Sequence, residues 1–303
     1  MKKLNIIFCI CTLLLCNLLA GCGSKEPAPA ADHKLQVVVT FNAMKEFTQA
    51  VGQDKIHITS LIPDGTEPHD FQPTTKTMQA LSKADILIYN STGMERWVEQ
   101  ATQAAANPKL VIVEAAKGTD RISLTEADEI RAHGQYDPHT WLSLSCAQTE
   151  VKNIAEALAA ADKTNADFYR KNAAEYNQKL QALLAAYQKK FSKLEQNDFV
   201  TGHAAFAYLC RDFGLQQQSI EDVFASGEPS AQNLAKLTAY CKEHNVKTIF
   251  VEEAVSPKTS ETLAREVGAT TQEIYTIECS NGEKTYLTRM EENLDAIYKS
   301  LKK

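Results

Sequence analysis

The sequence is short of the features that mark several function classes. Positive charge is not in surplus: 32 Lys and Arg stand against 38 Asp and Glu, a formal net charge of −6. That balance argues against a nucleic-acid partner, which needs a basic face for phosphates. After residue 21 no window approaches 18 uninterrupted apolar residues, so the rest of the chain offers no transmembrane helix. None of the eight cysteines forms a C-x-x-C pair, which argues against a thiolate zinc site or a thioredoxin-like site. No H-E-x-x-H and no G-x-S-x-G occurs, so two common hydrolase signatures are missing. Glycine (12) and proline (9) are modest beside 44% apolar residues, the composition of a globular protein with a sizeable core.

What is present begins with a leader. Lys2 and Lys3 precede an apolar run from Ile6 to Ala20, broken only by Thr12 and Asn17, and the run exits through Leu19-Ala20-Gly21-Cys22. A basic start, an apolar run and a small-residue exit make a secretory signal over 1–21. The exit resembles the bacterial lipobox, whose Cys becomes the lipidated first residue, so Cys22 is the expected lipid acceptor. Residues 22–34 then read as the lipidated Cys and a flexible tether. The expected location is extracytoplasmic, anchored to a bacterial cell membrane by lipid alone. Removing 1–21 takes two lysines and leaves 282 residues with net charge −8. It also leaves Cys146, Cys210, Cys241 and Cys279 beyond the lipid acceptor. Outside the cytoplasm Cys210 and Cys241 are free to form a disulfide; the preferred reading is four small buried residues.

Short β-branched runs alternate with longer amphipathic ones. Strands are expected at 35–40, 56–62, 85–90, 110–114, 198–202, 247–252 and 273–278. Helices are expected at 42–52, 74–83, 92–106, 204–213, 230–244, 258–267 and 285–301. Such alternation implies an α/β fold with mainly parallel sheets flanked by helices. From Lys163 to Leu194 there is neither Pro nor Gly, and Tyr176, Leu180, Leu183, Leu184, Tyr187, Phe191 and Leu194 form one apolar stripe. A helix of that length runs about 45 Å or slightly more. The expected organisation is an N-terminal lobe over 35–162, a rigid connecting helix over 163–194 and a C-terminal lobe over 195–303.

Seven histidines separate into two groups. His33 lies in the tether, His57 within a strand and His244 at a helix end; these read as surface residues. His69 in PDGTEPHDFQPT, His139 in YDPHTWLS and His203 in FVTGHAAFAYL sit in turn-rich loops or at a strand–helix join. Ligands of open parallel sheets bind beyond the carboxyl ends of strands. Three imidazoles in comparable settings, spread over both halves, point to a transition metal. His133 is the lone histidine of 115–138 and reads as solvated, with metal capture as the rival role. Asp70 and Asp137 flank two of the histidines, either as hydrogen-bond partners of the imidazoles or as turn formers.

EPHDFQP, DPHTWLS, GHAAFAYLCRDFGL, GEPSAQNLAKL and FVEEAVSPKTSETLAREVGA resemble, in order and spacing, the signatures of metal-binding lipoproteins of ABC importers, the cluster A-I solute-binding proteins for zinc or manganese. The resemblance covers about residues 35–303. It implies two ligands from each lobe: His69 and His139 from the first, His203 and an acid in the loop after the last strand from the second. In YTIECSNGEKTYL that acid is Glu278, where the family commonly has Asp; Cys279 is a minor rival. Glu252 is implied to support the site without ligating. Three imidazoles and one carboxylate favour Zn(II), with Mn(II) as the alternative cargo. The resemblance further implies a monomer that is not an enzyme and that hands metal to an ABC permease and its ATPase. A zinc hydrolase and a surface adhesin are the rival functions.

Overall fold

The first sheet is built from the most apolar runs of the chain. In the computed structural model, which describes residues 34–225, 230–253, 256–282 and 284–302, β1 (Leu35–Val39), β2 (Ile56–Ser60), β3 (Ile86–Tyr89) and β4 (Val111–Glu114) run parallel in the order β2-β1-β3-β4. Val37, Val38, Val39, Ile86, Leu87 and Ile88 are buried on both faces, the pattern of central parallel strands. The signal over 1–21, Cys22 and all of the tether except Lys34 lie outside the described residues. Leu35–Lys303 form one compact unit.

The second sheet repeats the scheme. β5 (Asp198–Thr201), β6 (Gln216–Ser219), β7 (Thr248–Glu252) and β8 (Thr270–Ile274) are parallel in the order β6-β5-β7-β8. Helices cover both faces of each sheet. They are α1 (Asn42–Gly52), α2 (Thr75–Leu81), α3 (Val98–Ala105), α4 (Ala127–His133), α5 (Leu144–Ala161), α6 (Ala166–Phe191), α7 (Ala207–Phe213), α8 (Ala231–Glu243), α9 (Lys258–Val267) and α10 (Tyr286–Leu301). Outer clusters pack Val38 and Leu87 on α2 and α3, and Val200 and Ile249 on α8 and α9. The main core spans both lobes, from Val37 and Phe47 through Trp141 and Leu180 to Phe250 and Ile297. No helix among the described residues is long and apolar enough to cross a membrane.

Sequence expectations change at the long helix and at the last strand. The long helix begins at Ala166, after a single 3-10 turn at Lys163–Asn165, because the Asp162 carboxylate accepts from Thr164 N and Asn165 N and stops an earlier start. It ends at Phe191, so its 26 residues span about 39 Å. It still braces both lobes: Asn172 donates to Val51 O of α1 at 2.9 Å, and Tyr187 donates to Asp295 of α10. A second long helix, α5, packs beside it, capped by Ser143, whose hydroxyl accepts from Cys146 N. The strand read at 273–278 lies at 270–274; Thr276–Glu278 leave the sheet because the side chains of Trp141 and Asn42 and the backbone N of Asn42, and not a neighbouring strand, take their carbonyls. The four cysteines are free and buried, so Cys210 and Cys241 are not bonded to each other.

Candidate metal centre

Each candidate ligand sits just past the carboxyl end of a strand or at a loop-to-helix join. His69 lies in a 3-10 turn, Pro68–Asp70, whose first amides are gathered by Glu67 accepting from His69 N. His139 precedes the turn Thr140–Leu142, and Asn90 donates to Pro138 O at 2.7 Å, fixing the loop to the end of β3. His203 follows β5 by two residues, and its carbonyl accepts from Thr201 Oγ1 at 2.7 Å and Gln217 Nε2 at 2.8 Å. Glu278 follows β8 by four.

One ligand atom from each of His69, His139, His203 and Glu278 falls within 4.8 Å of all the others. Nε2 of His69 and Nε2 of His139 are 3.2 Å apart, close to the edge of about 3.3 Å of a tetrahedron drawn at zinc–nitrogen bond lengths. His139, His203 and Glu278 are buried, and His69 is half-buried. A cleft of about 350 Å³ is lined by Phe71, Arg96, Trp97, His133 and, of the four candidate ligands, His69.

Hydrogen bonds aim the imidazoles. His139 Nδ1 donates to Asp137 Oδ1 at 2.9 Å, which leaves the Nε2 lone pair pointing into the cluster. The same carboxylate oxygen accepts from His139 N at 2.9 Å. Of the two flanking acids, Asp137 is therefore the imidazole partner, and the exposed Asp70 is part of the turn. Glu252 accepts from His203 N at 3.0 Å and stands 3.7 Å from His203 Nδ1. Its carboxylate lies flat against Gly202, where any Cβ would fall 2.1 Å from Glu252 Oε2. A larger residue there must displace that carboxylate.

Burial governs the ionisation of the group. It holds the His69 imidazole well below its usual range, with His139 adding to the effect, and lowers His203 to about 3. Burial, then the neighbouring Glu67, pushes the Glu278 carboxyl well above the usual range. Neutral imidazoles offer lone pairs, and both His203 ring nitrogens and Glu278 Oε1 have no hydrogen-bond partner among the described residues. Buried polar atoms of this kind require a partner, and a divalent cation satisfies nitrogen lone pairs and a carboxylate together. The donor set therefore fits such an ion.

The other histidines stand apart. His57 is exposed on edge strand β2, and His244 stacks on Tyr240 with ring centres 4.1 Å apart. His133, at the end of α4, is not freely solvated: it stacks at 3.7 Å on Phe224 of the second lobe, whose ring stands 5.4 Å from that of His69. Sequence reading missed Phe224, Glu46 and Arg289. Each is an isolated residue whose partner lies in the other lobe, so no local pattern announces it.

The segment carrying Glu278 is held from the first lobe. Trp141 Nε1 donates to Thr276 O at 2.7 Å, Asn42 N to Glu278 O at 3.1 Å, and Gly65 N to Cys279 Sγ at 3.3 Å. Asn42 N is one of the unpaired amides at the start of α1, so the carbonyl of Glu278 completes a helix end in the opposite lobe. Ile277 has φ of 62°, a conformation that costs a β-branched residue about 1–3 kcal/mol.

Comparison with known proteins identifies the family. The model of a family described as zinc-uptake complex component A, periplasmic (ZnuA), matches residues 37–300. The high-affinity zinc uptake system protein ZnuA of Bacillus subtilis (strain 168) is 41% identical over 316 aligned positions, covering 99% of this chain and 98% of that protein. The metal-dependent lipoprotein YcdH of Bacillus subtilis superposes with a TM-score of 0.76 at 42% identity, covering 88% of this chain and 99% of that one. A Zn(II)-bound variant of AdcAII from Streptococcus pneumoniae gives a TM-score of 0.82 at 30% identity, covering 89% and 99%. With two parallel-sheet lobes, a bracing helix and a family match along nearly its whole length, the chain belongs to the ZnuA family of metal-binding solute-binding proteins.

Proposed function

We infer that this chain is an extracytoplasmic receptor that takes up Zn(II) between its lobes and delivers it to an ABC import permease driven by an ATPase. The observation that carries the reading is the convergence of three imidazoles and one carboxylate, two groups from each lobe, within 4.8 Å. In this reading His69, His139, His203 and Glu278 are the zinc ligands. Three nitrogens and one oxygen suit a borderline-soft cation better than manganese. The related proteins support zinc as the cargo, since one is a zinc uptake protein and another is zinc-loaded. The protein is a binding protein and not an enzyme: Glu278 fills the fourth position that a catalytic zinc keeps open for water.

Residues 1–21 direct export, Cys22 carries the lipid, and 22–34 tether a monomeric body made of the lobes 35–162 and 195–303 joined through 163–194. Competition against a chromophoric chelator tests the ligand set. His69→Ala, His139→Ala and His203→Ala should each weaken zinc binding at least about tenfold, roughly 1.4 kcal/mol. Undiminished affinity in any of the three removes that residue from the set. Loss of lipid labelling in Cys22→Ala tests the anchor; labelling equal to wild type rules Cys22 out.

A further inference from the structure

The structure assigns Glu46 and Arg289, one from each lobe, as positioning residues for Glu278, acting through the backbone of 278 and 279. The assignment rests on reading Glu278 as a zinc ligand. Arg289, on α10, is fully buried. Its Nη1 donates to Cys279 O at 2.6 Å and its Nη2 to Glu46 Oε1 on α1 of the other lobe. Glu253 stands 3.6 Å from the same guanidinium. Glu46 is itself held, accepting from Asn42 Nδ2 at 3.0 Å and from Tyr286 N. Asn42 closes the circuit: its Nδ2 also donates to Ile277 O at 3.5 Å, and its backbone N donates to Glu278 O at 3.1 Å.

The Cys279 carbonyl is therefore tied to the guanidinium directly, and the Glu278 carbonyl is linked to Glu46 through Asn42, whose backbone holds the one and whose side chain holds the other. The residue just before them, Ile277, is in the left-handed region at φ 62°. A β-branched residue keeps that conformation only where its surroundings over-determine it. The tie supplies that constraint, and the constraint aims the Glu278 carboxylate into the imidazole cluster. Without the Glu46 charge, the buried guanidinium retains Glu253 as its remaining carboxylate and is drawn off the Cys279 carbonyl. Ile277 then relaxes and Glu278 loses its aim, with the imidazoles untouched. A pair that only held the lobes together would weaken all four ligands alike.

A double-mutant cycle separates these roles. Zinc affinity is measured by chelator competition for wild type, Glu46→Gln, Glu278→Gln and the double variant, with the melting temperature of each metal-free protein alongside. Glu46→Gln should weaken zinc about tenfold in the wild-type background, the usual scale for residues that orient metal ligands. In the Glu278→Gln background it should cost less than about twofold. The Co(II) absorption spectrum of Glu46→Gln should move toward that of Glu278→Gln. Equal losses in both backgrounds, or no loss in the first, overturn the positioning role. If Glu278→Gln itself leaves zinc affinity unchanged, the ligand reading fails, and the positioning role with it. Should Glu46→Gln not fold, Arg289→Lys carries the same cycle and the same expectations, because it keeps the buried cation and gives up the two-handed grip.

Discussion

The two lobes contribute to the metal centre in different ways. The first lobe offers a half-site already aimed: His139 is fixed at Nδ1 by Asp137, and its Nε2 meets Nε2 of His69 at 3.2 Å. The second lobe offers atoms with nothing to bond. Both nitrogens of His203 and Oε1 of Glu278 have no partner among the described residues, and the strand before Glu278 ends early so that the first lobe can hold its backbone. The sheets differ to match. The central strands of the first carry the apolar runs VVV and ILI, whereas the edge strands of the second are QQQS and TTQEI. In the proposed site, zinc would join a prepared pair of nitrogens to a second pair that has no other partner.

The largest expected effect concerns the first lobe. Glu150 on α5 is fully buried, and burial, opposed by the Thr140 hydroxyl and reinforced by Glu95, raises its carboxyl to about 7. A raised folded-state value means that the folded protein holds this proton more tightly than the unfolded chain does. Its contribution is complete below about pH 4.5 and is lost as pH rises toward 7. A shift of that size corresponds to on the order of 3 kcal/mol. Glu150→Gln should therefore be more stable than wild type at pH 8 and equal to it near pH 4.5 in urea unfolding; a constant difference across that range would contradict the buried-acid assignment.

Next comes the second lobe. Gly202→Ala places a methyl where Glu252 Oε2 now lies and must displace the acid that holds His203. Overpacking of this kind costs about 1–3 kcal/mol, and zinc affinity should fall with melting temperature. Unchanged zinc affinity in a destabilised variant would show that Glu252 does not orient His203.

Asp137→Asn should be milder for stability and specific for the metal, weakening zinc about tenfold by loosening the tautomer control of His139. If calorimetry shows no change, the first lobe is not prepared in the sense argued above. The smallest effect is His57→Ala, which should leave both zinc affinity and stability within error, because the side chain is exposed on an edge strand. A loss comparable with that of His69→Ala would undo the sorting of the histidines.

Much of this was legible in the sequence because the informative patterns are local. The runs LQVVV and DILIY read as strands, and the three site histidines each follow a turn or strand end within their own motif. Glu278 was placed by resemblance, from its position in the loop after the last strand. What stayed hidden depends on distance along the chain. Strand β6 is QQQS, with no apolar pattern, and exists because β5 supplies its ladder. Glu46 and Arg289 are 243 residues apart and meet only when the lobes meet. Phe224 and His133 stack across the cleft for the same reason.

X-ray absorption at the zinc edge of the zinc-loaded protein tests the central claim directly. Three imidazole nitrogens and one carboxylate oxygen at about 2.0–2.1 Å, four-coordinate, are predicted from His69, His139, His203 and Glu278. A sulfur scatterer near 2.3 Å, which would bring in Cys279, or a shell holding fewer than three imidazoles, would contradict it.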